Sequence, residues 1–280
     1  MNRPSDALPD QAAGLRRARG DAAGAIPAAP LRLPALAVTG GKGGVGKTCV
    51  AVNLAVALAK AGLRPLLVDL DLGLANADVL MGVDPERTLY DLVFARATAE
   101  SVVMSTPWQV DFVPAASGHE ELTRLDESQL SGLFAGIARL ATGRDLVILD
   151  TPAGIGREVM WALRAARTVL VVVTPDPTSL TDAYALIKVF EAQEPGRDIR
   201  VLVNQASGLA EAQAVFNRLA GVARVHLKRD LVFAGMLPRD PALTEAVRRR
   251  RPLSASHGDS PAQQAFRGLA ARFKGERWRP

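Results

Sequence analysis

Gly41-Lys42-Gly43-Gly44-Val45-Gly46-Lys47-Thr48 is the densest cluster of chemistry in the sequence. The spacing G-x-x-x-x-G-K-T suits a loop that wraps phosphate oxygens, because glycines let consecutive backbone N–H groups turn inward. An apolar run, Ala35 to Thr39, precedes the loop and a helical stretch follows it, so a helix N-terminus adds partial positive charge. In that setting Lys47 neutralises the β- and γ-phosphates, the Thr48 hydroxyl reaches Mg2+, and Cys49 lies in the first turn of the cradle. Lys42 is extra. The cradle needs no lysine straight after its first glycine, and an exposed loop charge would explain it as well.

Carboxylates supply the second group. Asp69 and Asp71, in LLVDLDLGLANAD, sit two residues apart at the end of an apolar run, which points both to one side of a strand. At the carboxyl end of a parallel strand they face the crevice where α/β sheets bind ligands. Two acids there suit contact with metal-bound water and positioning of an attacking water, or simply capping of the next turn. Asp150 closes a further buried run in LVILDTPAGIG, a Walker B arrangement that would hold Mg2+ through water. Asn204 and Pro238 follow later runs, in VLVNQ and GMLPRDP, and Asn204 could equally form a turn.

These residues need a scaffold that brings strand ends together. Val/Leu/Ile runs at 35–39, 65–70, 110–114, 145–150, 168–173, 199–204 and 231–237 alternate with amphipathic stretches. Near-continuous apolar strands separated by helices predict a mostly parallel sheet covered on both faces. The expected fold is a single doubly wound α/β domain over residues 34–275, with 1–33 a flexible Ala/Pro/Gly-rich tail and 276–280 a short terminal tail. A single cysteine excludes an internal disulfide and suits a reducing compartment. No apolar h-region opens the chain and no run approaches a membrane span, so the expected location is cytoplasmic. Charge is uneven. Arg248 to Pro280 holds nine Lys or Arg against two Asp or Glu, a balance of +7 within a total of +5.

KGGVGKT resembles the deviant Walker A loop of the MinD/ParA family of ATPases. The resemblance implies ATP and Mg2+ as cofactors, and ATP-dependent homodimerisation in which Lys42 reaches the partner's phosphates. It further implies Asp71 as the catalytic acid, Asp69 and Asp150 behind Mg2+, and Gly154 near the γ-phosphate. Asn204 is implied at the adenine edge, with Pro238 lining the base. DLDLGLANADVLMGV, PAASG, DTPAGIG and PTSLTDAYALIK are closer to the FlhG (FleN/YlxH) branch, which controls flagellar number and placement.

That branch gives the tail a meaning. DQAAGLR, residues 10–16, matches the D-Q-A-x-x-L-R motif with which FlhG proteins engage and stimulate the GTPase FlhF, through Asp10, Gln11, Ala12, Leu15 and Arg16. Leu8, Ala12 and Leu15 fall at helical spacing, but so short a segment would order only on a partner. Further implied partners are a flagellar transcription regulator and a basal-body or C-ring protein. The last apolar stripe, Ala262 to Phe273, reads either as a basic membrane-surface helix or, as in FlhG-like chains, as the final core helix. The latter leaves membrane association weak or indirect, at the inner membrane or cell pole through partners. The basic C-terminus keeps a rival reading open, a ParA-type ATPase that positions DNA or another cellular complex.

Overall fold

The computed structural model describes residues 32–73, 75–116, 118–276 and 278. The tail motif, with Asp10, Gln11, Ala12, Leu15 and Arg16, lies outside the described residues. Strand β1 (Leu33–Thr39) leads through the glycine loop into α1 (Lys47–Lys60), followed by β2 (Pro65–Asp69), α2 (Ala77–Met81) and α3 (Leu89–Val93). Next come β3 (Met104–Ser105), β4 (Asp111–Val113), α4 (Glu127–Ala141), β5 (Leu146–Asp150) and α5 (Arg157–Ala165). Then β6 (Ala166–Val173), α6 (Pro177–Gln193), β7 (Asp198–Ala206) and α7 (Leu209–Leu227) precede β8 (Val232–Pro238), α8 (Pro241–Arg248) and α9 (Pro261–Lys274).

The sheet order is β3-β4-β2-β5-β1-β6-β7-β8. Every pairing is parallel except β3 with β4. The seven expected strands are all present. The two-residue β3 was not expected, since two residues carry no period to read. β1 lies between β5 and β6, so the chain leaves the centre of the sheet in both directions and opens a crevice at the carboxyl ends.

Alternation along each strand builds two cores. Ala35 and Ala37 of β1, Val147 and Leu149 of β5, and Val169 and Val171 of β6 face α4, α5, α6 and α7. Leu36 and Val38, Leu146 and Ile148, and Leu170 and Val172 face α1 and α9. Helix α4 shows how the sequence builds one layer. Asp126 and Gln129 form a capping box at its start. Leu130, Leu133, Phe134, Ile137 and Leu140 line one buried face, each contributing about 2 kcal/mol. Gly143, at φ 81, turns the chain away after its end.

Two boundaries differ from expectation. Leu33, expected in the tail, is the first residue of β1 and is buried. In the expected terminal tail, Glu276 pairs with Arg200, and Trp278 is 5% exposed, with its indole N–H donating to Phe273 O at 2.7 Å. The apolar stripe of α9 is spent inside the fold: Phe266, Ala270 and Phe273 are buried in the same core as α1. No described helix is long and apolar enough to cross a membrane. Strand β8 is a sheet edge, and the Arg272 guanidinium of α9 donates to its Ala234 carbonyl at 2.6 Å and its Phe233 carbonyl at 3.4 Å.

Candidate nucleotide site

The phosphate loop owes its shape to close backbone approaches. A Cβ on Gly41 would sit 2.2 Å from the Asp182 carbonyl carbon and oxygen, so the loop rests directly on the backbone of α6. Gly44 and Gly46 hold φ 77 and 92, the left-handed region that glycine enters without penalty. Helix α1 then starts from Gly46 with no side chain capping it, which leaves its first N–H groups for an anion. Helices α4, α6, α8 and α9 are capped by Asp126, Asp176, Asp240 and Ser260.

Parallel register delivers the carboxylates to the same rim. Asp69 pairs with Asp150 across β2 and β5, and Asp150 pairs with Val38 of β1. Both are essentially inaccessible to solvent. Asp69 accepts the Asp71 N–H at 2.9 Å and the Asn76 and Ala77 N–H groups at 3.4 and 3.3 Å. Burial pushes its carboxyl up to about 7 against the pull of these N–H groups. The Asp150 carboxyl is sealed from solvent, with Thr48 and Lys47 as its favourable neighbours. Burial first, then the neighbouring Asp69, hold that carboxyl well above the usual range. Lys47 is 8% exposed. Its pKa is lowered by burial, with Asp150 and Asp71 opposing, and its ammonium donates to Lys42 O at 3.4 Å. Beyond Asp150, the Gly154 N–H donates to Gly40 O at 3.2 Å, so the segment after β5 closes against the base of the loop.

A buried acid beside a lysine, a threonine at a helix start and an uncapped helix is the donor set that Mg2+ and a triphosphate require. Thr48 would take the cation directly, with Asp69 and Asp150 holding its waters. Gly43, Gly44, Val45 and Gly46 would turn their N–H groups to the phosphates.

Three expected residues have further work in this structure. Lys42 is tied within its own chain: its ammonium donates to Asp176 Oδ2 at 2.7 Å and Thr178 Oγ1 at 2.5 Å, at the start of α6. Asp176 and Thr178 were missed by sequence reasoning, although Asp-Pro-Thr at the end of an apolar run is a helix-start signal. Asn204, 4% exposed, donates its amide to Val45 O at 2.8 Å and accepts the Gln205 N–H at 2.9 Å, so it grips the phosphate loop. Cys49 bonds through its carbonyl to Asn53 Nδ2 at 2.8 Å, and burial raises its thiol to about 11, leaving it an unreactive wall of α1. Pro238 pairs in register with Ala206 at the ends of β8 and β7, on the same rim as Asn204.

Residues 34–196 match the AAA domain family. The antiactivator FleN of Pseudomonas aeruginosa is 43% identical over 84% of each chain. The flagellum site-determining protein YlxH of Helicobacter pylori is 31% identical over 77% of this chain and 73% of its own. The septum site-determining protein MinD of Pyrococcus horikoshii, solved with Mg-ADP, superposes with a TM-score of 0.73 at 27% identity, covering 86% of this chain and 96% of that one. The chain belongs to the MinD/ParA family of P-loop ATPases, in the FlhG branch that holds FleN and YlxH.

Proposed function

We propose that the protein is an ATP-dependent dimerisation switch that regulates the number or placement of flagella. The observation that carries this reading is Lys42, a lysine that the phosphate cradle does not need, held at the crevice rim by Asp176 and Thr178. Released from them, Lys42 is free to reach the phosphates bound by a second copy. Ile155 and Leu209, 52% and 59% exposed, follow β5 and β7 on that rim and offer apolar surface for the pairing.

In the hydrolytic step Lys47 neutralises phosphate charge while Asp71 orients the attacking water. Mg2+, when bound at Thr48, supplies charge neutralisation of the β- and γ-oxygens. Turnover is slow in this reading, because the chemistry times an association. The relatives FleN and YlxH supply the flagellar context. The tail motif Asp10 to Arg16 then engages an FlhF-type GTPase and stimulates it.

The test is light scattering with MgATP beside a turnover assay. Lys42→Ala is expected to bind ATP yet stay monomeric, and Asp71→Ala to dimerise without turnover. A Lys42→Ala protein that dimerises normally would remove the switch. Deletion of residues 1–20 is expected to leave turnover intact and abolish GTPase stimulation, and undiminished stimulation refutes the tail role. A second reading, a ParA-type DNA-positioning ATPase, draws on the exposed run Arg248–Arg251. It requires non-specific DNA binding in the ATP state that falls steeply with salt.

A further inference from the structure

A cavity of about 590 Å3 opens between the last turn of α1, the segment 254–258 and the outer side of α9. Its rim is basic: Lys60, Arg267 and Lys274 line it, with His257 beside them. Lys274 donates to the Ala61 carbonyl and Arg267 pairs with Asp259. Lys60 donates to the Ser256 carbonyl at 3.4 Å. The pKa of Lys60 is lowered, first by burial and then by the charges of Arg251 and Arg267. Positive groups are therefore crowded here beyond what the local acid compensates, an arrangement that an anion relieves. The wall includes Ser254, 8% exposed, whose hydroxyl has no hydrogen-bond partner. Small side chains, Ala57, Ala61, Ala270 and Ala271, leave the room.

We propose that this cavity is a second anion site, distinct from the phosphate loop, that takes a phosphate-bearing ligand between Lys60 and Arg267. The ligand is either a small soluble phosphate ester or the headgroup of an anionic lipid. The site shares helix α1 with the phosphate loop. Helix α1 carries Lys47 and Thr48 at one end and Ala57 and Lys60 at the other, about 20 Å along its axis. Asn53, 4% exposed in the middle of α1, accepts the Ser254 N–H at 3.0 Å and donates to Cys49 O.

The probes are inorganic phosphate, titrated into MgADP-loaded protein and followed by 31P NMR, and flotation with vesicles of phosphatidylglycerol in phosphatidylcholine. MgADP keeps the phosphate loop filled, and its own affinity is measured in parallel. Lys60→Glu with Arg267→Glu should weaken the bound probe about tenfold or more, the loss of at least one charge-assisted hydrogen bond, with MgADP still bound. Lys60→Gln with Arg267→Gln, which keeps shape and removes only charge, should weaken it in the same direction. Phosphate binding lost in the variants identifies a soluble ester. Vesicle binding lost in the variants, without phosphate binding, identifies a lipid headgroup. Binding of neither probe, or equal binding by wild type and variants, overturns the proposal.

Discussion

Gly46→Ala tests the account of the phosphate loop most directly. An alanine at φ 92 pays about 1–2 kcal/mol for the left-handed conformation. Its Cβ would stand 2.4 Å from Asn204 Nδ2, so the amide must swing away and abandon Val45 O, its partner at 2.8 Å. Leaving that buried pair unmade adds about 1–3 kcal/mol. The expected loss is about 2–5 kcal/mol, or roughly 5–15 °C in Tm for a domain of this size. Urea and thermal melts of nucleotide-free protein measure it, with MgATP binding as a second readout that should also fall. Asn204→Ala alone loses the amide bond but clears the space. The double variant should therefore cost about 1–3 kcal/mol less than the sum of the single variants. Gly43→Ala is the control, because nothing lies within 4 Å of its Cβ and no positive φ constrains it. Additivity of Gly46→Ala and Asn204→Ala within about 0.5 kcal/mol, or a Gly43→Ala loss as large as that of Gly46→Ala, would refute the reasoning.

Asp150→Asn should raise the melting temperature of metal-free protein at alkaline pH by a few degrees, about 1 kcal/mol, because it removes a charge that burial disfavours more than its neighbours support. The same variant should lose MgATP hydrolysis, and an unchanged turnover rate counts against a role at Mg2+. For Asp69, the folded pKa of about 7 lies above an unfolded value near 4. The folded state thus keeps a proton that the unfolded chain has lost, and metal-free stability should fall as pH rises through about 4 to 7. Asp69→Asn should flatten that slope, as read from urea midpoints across the window. Trp278→Ala should cost about 3–5 kcal/mol, since Trp278 packs on Phe273 at 5.8 Å between ring centroids and bonds its carbonyl. A midpoint equal to wild type would return Trp278 to a dispensable tail.

Chemistry that lives in neighbouring residues was legible from the sequence. The glycine loop, the strand-ending carboxylates and the seven apolar strands each follow from spacing within a dozen residues. What escaped was set by the meeting of distant segments. Lys42 finds Asp176 across 134 residues, and Asn204 finds Val45 across 159. All four lie at strand ends or adjacent turns of a parallel sheet, but only packing decides which of them touch. At the end of the chain, charge-rich composition around Trp278 masked a single buried aromatic, and one residue has no periodicity to betray it.

Arg272 also bears on how many copies can join. A protein that pairs with itself through one face makes a closed dimer, and nothing further can add. An uncovered β8 would give each copy a second, head-to-tail sticking place, since an open sheet edge accepts any passing strand. With Arg272 occupying the Ala234 and Phe233 carbonyls, that second valence is blunted. On the dimerisation switch proposed above, growth would then stop at two, and a nucleotide-gated pair would remain a countable signal instead of the first link of a fibre.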